Sequence, residues 1–536
     1  MRLSILTILA MAVVSGQSPD QVRNALAKAL PPLQHSAATF VEKRACFSCH
    51  HNALPVLMLN MARERGVAID GAVLKAVEQK TFRSGGTLDD VVQAKNLNDP
   101  TPNDSLLLMA QEAAGAPADE ASQVRTRRLA SWQREDGHWI TSDFRPPHSS
   151  SVFTATATAI RALRAYMPPQ FADERDRRIE SARKWLVSNP PASTEDASYR
   201  LMGLVWASAS REEIAAARRD LLALQKGDGG WPQLPDYPSD AYSTGESVFA
   251  LHESGVDSPK GIRFLLDKQA NDGTWRVHTR MLSPAEVSPP YFETGFPYKK
   301  DQFISYAGSC WAVMALLTTI PSNPQLAPAA PVFEPLTLKS DATSLIIAAS
   351  YYDNSVEVAR LLATDTQVNP APGAHAHTTP LRLASMSGDL ETVRLLLAHG
   401  ADPNLDSPLS EAITFDHADV AQALIAAGAS TDGVESTGIN LLHWATITNR
   451  AALIPVLVKA GVPLNATDDN GFTPLMYAAT IDFGDTRTLD ALLAAGADRS
   501  IRDSENRTPL QQARRLGHAK IETALNAKPA LAKPAR

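Results

Sequence analysis

The sequence has few cysteines, no excess of basic charge and no long apolar run beyond its first residues. Three cysteines in 536 residues are too few for a disulfide scaffold. The formal net charge of -7 argues against a general nucleic-acid-binding protein. Because no other long uncharged apolar stretch follows residue 16, we expect no stable membrane span in the mature chain. With 44% hydrophobic and 20% charged residues, the composition is that of an ordinary globular protein.

Residues 1–16 have the features of a secretory signal peptide. Arg2 supplies the positive charge, residues 3–14 are mostly apolar, and Ser15 and Gly16 precede a predicted cleavage point. The apolar run is too short for a comfortable membrane span, although an uncleaved anchor is the alternative. We therefore expect a periplasmic or secreted protein.

One short motif indicates a specific chemistry. Cys46, Cys49 and His50 have the spacing C-x-x-C-H, which is typical of a c-type haem attachment site. Residues three apart lie on one side of a helical turn, so both cysteines can form thioethers with the vinyl groups of one porphyrin. His50 can then bind the iron as its proximal ligand. The motif predicts one covalent haem c, attached through Cys46 and Cys49, with His50 as the metal ligand.

Two other interpretations of the same three residues stay open. The thiols can form a Cys46–Cys49 disulfide, or they can bind zinc with His50 and one further ligand. Export to an oxidising compartment favours a disulfide as well as haem attachment, so it does not decide between them. Cys310 lies in an apolar helical run, and we expect it to be a small buried side chain.

Three segments of the first part repeat one pattern. Each combines the end of an amphipathic helix, a glutamine, an Asp-Gly turn and a tryptophan, and they are Leu129–Trp139, Leu222–Trp231 and Phe264–Trp275. The glycine can adopt the left-handed conformation that ends a helix. Helices rich in small and apolar residues are predicted to begin near residues 55, 104, 150, 197, 241 and 306. A nearly constant period of helix pairs is typical of a repeat architecture.

This part resembles the squalene–hopene cyclase and prenyltransferase toroid family, because the three segments look like its QW motifs. The resemblance covers roughly residues 20 to 320. It implies an (α/α)6 barrel with inner and outer helices around a central cavity. The family's cyclases use an Asp-x-Asp-Asp acid motif, which this sequence lacks. We expect residues 17–320 to form a squalene-cyclase-like toroid that contains the C-x-x-C-H motif and has no assigned catalytic residue.

A second repeat begins after the proline-rich residues 321–338, which we expect to be a linker. A leucine with an alanine three residues later recurs from Leu345 to Leu510, and Thr-Pro-Leu precedes several of these alanines. These features look like about six ankyrin repeats over residues 339–526. The resemblance implies a helical solenoid that binds an unknown protein partner. Residues 527–536 are expected to be a disordered tail.

The sequence therefore predicts an all-α protein, an (α/α)6 toroid followed by an ankyrin-repeat solenoid. Its predicted function is that of an exported c-type haem-binding protein with a protein-interaction module, acting in electron transfer or redox chemistry with a redox partner. One alternative is a terpenoid-binding or cyclase-like enzyme without the Asp-rich acid motif. The other is a non-catalytic envelope scaffold with a Cys46–Cys49 disulfide. Whether the protein is an enzyme stays open.

Overall fold

The part of the chain that the structure describes is mostly helical, with 61% of those residues in helices and almost no strands. The computed structural model describes residues 18–44, 49–83, 88, 91, 100–142, 146–148, 150–280, 294–335, 355–364, 367–369, 378–432 and 438–527. The predicted signal peptide and residues 528–536 of the predicted tail lie outside these ranges. Among the helices within them, none is both long and apolar enough to cross a bilayer.

Twelve helices are described before the proline-rich segment. They are α1 (Pro19–Lys43), α2 (Leu54–Glu64), α3 (Gly71–Arg83), α4 (Pro100–Ala114), α5 (Glu120–Ser131), α6 (Val152–Tyr166), α7 (Ala172–Ser188), α8 (Thr194–Trp206), α9 (Arg211–Ala223), α10 (Ala241–Glu253), α11 (Pro259–Lys268) and α12 (Gln302–Leu317). A π-helical turn, Cys49–Ala53, leads into α2, and short 3-10 turns occupy Pro169–Phe171 and Lys299–Asp301. Two short antiparallel strands, β1 (Trp231–Pro232) and β2 (Ser239–Asp240), precede α10.

The even-numbered helices form a closed cycle of contacts. Each of α2, α4, α6, α8 and α10 contacts the next even-numbered helix, and α12 contacts α2. The odd-numbered helices pack against this cycle from outside, most of them between two inner helices. Small side chains allow such close packing, and α6 buries Ala155, Ala157, Ala159 and Ala162. We call α1–α12 the ring, its even-numbered helices the inner helices and its odd-numbered helices the outer helices. The inner helices begin within a few residues of the predicted positions.

Each glutamine–glycine–tryptophan turn is held by side-chain hydrogen bonds. After α11, the Gln269 amide donates to the carbonyl oxygens of Gly273 at 3.0 Å and of Ala25, on α1, at 2.9 Å. The buried Trp275 indole donates to the Leu265 carbonyl oxygen at 2.8 Å. The two earlier turns repeat the glutamine–glycine and tryptophan–helix bonds. Since α1 is the first described helix, the bonds of the third turn close the ring.

The proline-rich segment after α12 returns to the ring. The Asn323 backbone N–H donates to the Glu64 carbonyl oxygen at the end of α2, at 2.9 Å. Ala118 then exchanges backbone hydrogen bonds with Val332 and Glu334, at 2.9 and 3.0 Å. The described part of the predicted linker, residues 321–335, therefore lies along the end of the ring at which the inner helices finish.

The remaining helices form a stack of pairs, which we call the solenoid. They are α13 (Ser355–Leu362), α14 (Pro380–Ser387), α15 (Leu390–Ala398), α16 (Pro408–Thr414), α17 (Ala418–Ala426), α18 (Leu441–Ile447), α19 (Leu453–Lys459), α20 (Pro474–Thr480), α21 (Arg487–Ala494), α22 (Pro509–Leu516) and α23 (Ala519–Asn526). From α14 onward, each even-numbered helix packs on the odd-numbered helix that follows it and on the next even-numbered one. Thr379, Thr473 and Thr508 cap their helices through the side chain, with proline at the first helical position, as the Thr-Pro-Leu pattern predicts.

Replacing the glycine of the ring-closing turn should destabilise the ring strongly. Gly273 has φ +87°, and an added Cβ would lie 2.2 Å from the carbonyl oxygen of Lys28 on α1. Gly255 has a similar φ of +81°, but no atom of the described residues lies within 4 Å of the Cβ position. Gly255→Ala should cost about 1 kcal/mol through backbone strain alone. Gly273→Ala should cost several kcal/mol, because a rigid backbone must also move.

Urea unfolding of both variants, followed by circular dichroism, measures the difference. Equal losses of stability would show that the Gly273 contact with α1 does not hold the ring together.

Candidate functional site

The predicted haem-attachment residues fall largely outside the described part of the structure. Cys46 lies in the undescribed residues 45–48, and the side chains of Cys49 and His50 are not described either. The backbone of Cys49–Ala53 forms the π-helical turn before α2. The assignment of these three residues as attachment and ligand residues therefore stays a prediction from the sequence.

His51, the neighbour of His50, is part of the ring's core. Its imidazole stacks between Phe40, at 5.0 Å between ring centroids, and Tyr306, at 4.0 Å. His51 Nε2 lies 3.4 Å from the Ser36 hydroxyl. Burial lowers the pKa of His51 to about 3, so this side chain is neutral and structural.

The solenoid packs on the rim of the ring at which inner helices begin. The contacts come from the turns inside its helix pairs. The Trp132 ring meets the Phe415 ring edge to face at 5.0 Å. The Arg134 guanidinium donates to the Phe415 carbonyl oxygen and lies 2.8 Å from His417 Nδ1. Leu383 and Met386 of α14 belong to the same buried apolar cluster as the ring.

Two further arginines join the same surfaces through backbone oxygens. Arg280, in the ring, donates to the Asp482 carbonyl oxygen at 2.9 Å. Arg450, in the solenoid, donates to the Thr414 carbonyl oxygen at 2.8 Å and to that of Thr141 in the ring. Each guanidinium is almost fully buried. Charged donors bonded to neutral carbonyls demand accurate placement, so these bonds fix one orientation of the solenoid.

His417 is a buried neutral histidine in the centre of this interface. Its Nε2 lies 3.0 Å from the Met386 carbonyl oxygen, which can only accept, so Nε2 carries the proton. Nδ1 therefore accepts from Arg134. Burial and the positive charges of Arg134 and Arg450 hold the pKa of His417 well below its ordinary value. A second proton on this ring would face the Arg134 guanidinium directly.

Two buried glutamates lie inside the ring near the same rim. Glu195 is in the first turn of α8, and its Oε1 accepts from the Thr154 hydroxyl at 2.6 Å. Glu246, on α10, is completely buried, and neither of its carboxylate oxygens has a hydrogen-bond partner of ordinary geometry among the described residues. Burial raises both pKa values, and the charge of Glu195 raises that of Glu246 further. Both carboxyl groups therefore hold a proton to a higher pH than an exposed glutamate does.

The surroundings of the glutamate pair connect it to the interface. Tyr242 stabilises the charged form of Glu246 slightly, and its hydroxyl lies 3.1 Å from His148 Nδ1. Arg280, which binds the solenoid, lowers the pKa of Glu195 less than burial raises it. Arg280 therefore links the surroundings of the glutamate pair to the interface with the solenoid.

Three other acids lie near the starts of inner helices. Asp240 is the N-cap of α10, and Asp196 is the third residue of α8, where it completes a capping box with the N-cap Ser193. Asp104 lies inside α4 and binds Arg128 through both oxygens at 2.7 and 2.8 Å. One feature of the sequence indicates that Glu246 is buried. It lies one turn before Phe249 on a helix whose other residues are mostly small or apolar.

Comparisons with known proteins identify the second part of the chain. Family models for ankyrin repeats match residues 332–407, 409–482 and 470–504. The chain is 32% identical over 150 residues to ankyrin repeat and KH domain-containing protein mask-1 of Caenorhabditis elegans, which covers 27% of this chain and 6% of that protein. It is 30% identical over 186 residues to the mitochondrial disaggregase of Homo sapiens, covering 33% and 25%. The chain thus spans a quarter or less of the length of these relatives.

Solved structures match about a third of the chain. A complex of the Bd0816 predatory endopeptidase of Bdellovibrio bacteriovorus with immunity protein Bd3460 matches at a TM-score of 0.30 with 26% identity, over 34% of this chain and 96% of that one. The human ASB11 ankyrin repeat domain matches at 0.30 with 25% identity, over 35% and 84%.

These findings correct the predicted function. The prediction of a c-type haem protein in redox chemistry is wrong: the matched relatives share ankyrin repeats with this chain, and the described residues contain no group of three or more His, Cys, Asp or Glu that could hold a metal ion. The terpenoid-enzyme and disulfide-scaffold alternatives, and the redox partner, receive no support from the matches either. Export stays a prediction.

Acidification should loosen the solenoid from the ring through His417. Its pKa is lowered in the docked state, so the undocked state binds more protons below the ordinary value of 6.5. Docking should therefore weaken as the pH falls below about 6.5. Hydrogen exchange of residues 414–417, corrected for the intrinsic rate, measures this change. His417→Gln should dock less well at pH 7.5 and show a smaller pH dependence; an unchanged dependence would contradict the role of His417.

Neutralising the buried glutamates should stabilise the ring at high pH. A raised carboxyl pKa means that the folded state binds more protons, so wild-type stability falls as the pH rises above about 4.5. Glu195→Gln keeps an acceptor for Thr154 and removes the titration. Its stability relative to wild type should rise by up to about 1.4 kcal/mol per pH unit in this range. Urea midpoints between pH 5 and 9 test this, and Glu246→Gln should show the same trend; a constant difference would contradict it.

Proposed function

We propose, because the C-terminal part of this chain consists of ankyrin repeats, that the protein binds another protein through a repeat module held on a helical ring. The observation that carries the proposal is that the solenoid packs on the ring with only one end of its helix pairs. The turns inside its helix pairs are buried against the ring, whereas the loops between successive pairs lie at the opposite ends of the helices. Ankyrin-type solenoids bury each unit only against its neighbours, which leaves extended surfaces for binding.

We infer that the ring is a toroid of the squalene-cyclase type in architecture. Three features support this: the closed cycle of inner helices, the outer layer, and the repeated glutamine–glycine–tryptophan turns with the same hydrogen bonds. The proposal concerns architecture alone, since the sequence lacks the acid motif of the cyclases. In this chain the ring serves as the support that orients the repeat module.

Three of the four loops that join successive pairs of the solenoid are net acidic, and in the fourth, residues 495–508, three arginines balance three acids. An exposed aspartate lies in each of the four loops that join successive pairs, and these residues are Asp402, Asp432, Asp469 and Asp498. Hydrogen bonds from Ser500 keep the pKa of Asp498 below its ordinary value, so it is charged at neutral pH. A row of separated negative charges attracts a partner with basic residues at matching intervals. We therefore propose a basic segment of another protein as the partner.

Zero-length carbodiimide cross-linking tests this function, because it joins carboxylates to lysines in direct contact. The full chain, incubated with an extract of cells that produce it, should form cross-links to partner lysines at these four aspartates. The quadruple variant Asp402→Asn, Asp432→Asn, Asp469→Asn and Asp498→Asn should lose the cross-linked partner and bind at least tenfold more weakly.

A matched control neutralises four exposed acids of the ring: Glu42→Gln, Asp173→Asn, Glu212→Gln and Asp267→Asn. This variant has the same net charge as the first and should retain the partner. If both variants lose the partner equally, non-specific charge attraction explains the binding. If no cross-link reaches the four loop aspartates, the proposed surface is wrong.

A further inference from the structure

The four loops that join successive helix pairs of the solenoid touch one another and form a row, which we call the loop row. A hydrogen bond links each loop to the next: the Asn404 amide to the Gly428 carbonyl oxygen at 3.2 Å, the Asn440 amide to the Pro463 carbonyl oxygen at 3.0 Å, and the Asp498 N–H to Asn465 Oδ1 at 2.9 Å. Packed helices lie roughly 8–10 Å apart, so the four loop aspartates follow one another at about that interval.

The chain leaves the solenoid beside the last loop of this row. Helix α23 ends at Asn526, and Ala527, the last described residue, has an extended backbone with φ -60° and ψ 134°. The Arg499 guanidinium, next to Asp498, donates to the carbonyl oxygen of Leu525 at 2.8 Å and to that of Ala527 at 2.5 Å. The residues after 527 therefore begin directly at the loop row.

The next part of the sequence, residues 528–536, is basic, and we call it the basic tail. Lys528, Lys533 and Arg536 carry three positive charges, and the segment contains no aspartate or glutamate. Its two prolines lack the backbone N–H that continuation of a helix requires, so the sequence favours an extended segment. Such a segment of nine residues spans at most about 30 Å. This length corresponds to roughly three intervals of the loop row.

The charges of the loop row give the basic tail a direction. In the last loop three arginines balance three acids, and Arg499 already binds the end of α23. The three earlier loops, residues 399–407, 427–440 and 460–473, contain six acids and no lysine or arginine. Negative charge therefore increases from the point where the tail begins toward the earlier loops. A basic segment that starts at the last loop is attracted along the row.

We propose that the basic tail binds along the loop row of the same chain and places its three positive charges at the loop aspartates. The inference rests on the proposed function, because the tail occupies the surface that the basic segment of a partner would use. Exposed ion pairs are individually weak, so a partner with more contacts can displace the tail. Covalent attachment offsets this weakness, because it gives the tail a high effective concentration at the row. The tail is thus an internal competitor that raises the affinity a partner needs.

Carbodiimide cross-linking of the purified full chain, without any cell extract, tests the contact. Lys528 should form an amide with Asp498, and Lys533 with Asp469 or Asp432, as identified by peptide mass spectrometry. The yield should stay constant on dilution, because both groups belong to one molecule. A yield that falls with dilution would show that the tail binds a second copy and would overturn the proposal. Absence of any cross-link from Lys533 to the loop row would also overturn it.

A fluorescently labelled peptide of residues 528–536 measures whether the loop row is already occupied. The tail variant, Lys528→Gln, Lys533→Gln and Arg536→Gln in the full chain, removes the attraction and frees the row. Fluorescence anisotropy should therefore show that this variant binds the peptide at least about threefold more tightly than wild type does. The quadruple loop variant described above should not bind the peptide, because it lacks the aspartates.

The matched control neutralises three exposed basic residues of outer helices: Lys43→Gln, Lys75→Gln and Arg177→Gln. It has the same net charge as the tail variant and should bind the peptide as wild type does. Circular dichroism establishes that every variant is folded before affinities are compared. Equal affinity of wild type and the tail variant would contradict the proposal, as would peptide binding that survives the quadruple loop substitution.

These results are distinct from the test of the proposed function. A partner that cross-links to the loop aspartates, together with an unoccupied row in the purified chain, would refute the internal competitor and leave the partner proposal intact. A tail that cross-links to the row in a chain for which no partner is captured would contradict the partner proposal alone.

Discussion

The ring depends on the bonds that hold a glutamine, a glycine and a tryptophan in one turn. The glutamine amide bonds the turn to itself and, in two of three cases, to a backbone carbonyl of the next outer helix. The tryptophan indole bonds back to the helix that it follows. The turn therefore ties each outer helix to the start of an inner one. It also places the rim segments that hold Arg134 and Arg280 against the solenoid.

The two ends of the ring differ in chemistry because different segments cover them. At one end, arginine side chains meet backbone carbonyls of the solenoid, and the Glu195–Glu246 pair lies close behind. At the other end, the inner helices leave an apolar space beside the returning proline-rich segment. One helical framework thus supports an interface that combines arginine hydrogen bonds with apolar packing at one end and an apolar space at the other.

Local patterns in the sequence predicted the helices, the three turns and the ankyrin repeats, because each depends on neighbours within one or two turns. The threonine caps of the solenoid and the starts of the inner helices follow the expected spacing. The interface could not be predicted this way, since Arg134 and His417 are 283 residues apart. The C-x-x-C-H spacing, in contrast, suggested a chemistry that the rest of the chain does not support.

The closing bond between Gln269 and Ala25 joins residues 244 positions apart. During synthesis, α1 leaves the ribosome long before α11 exists to receive it. During that interval the apolar side of α1, which includes Leu26 and Leu33, lacks its final packing partners and must be protected from aggregation, for example by chaperones. The solenoid has mostly short-range contacts and can fold as it emerges. The first part of the chain is thus the slower to mature, although it is made first.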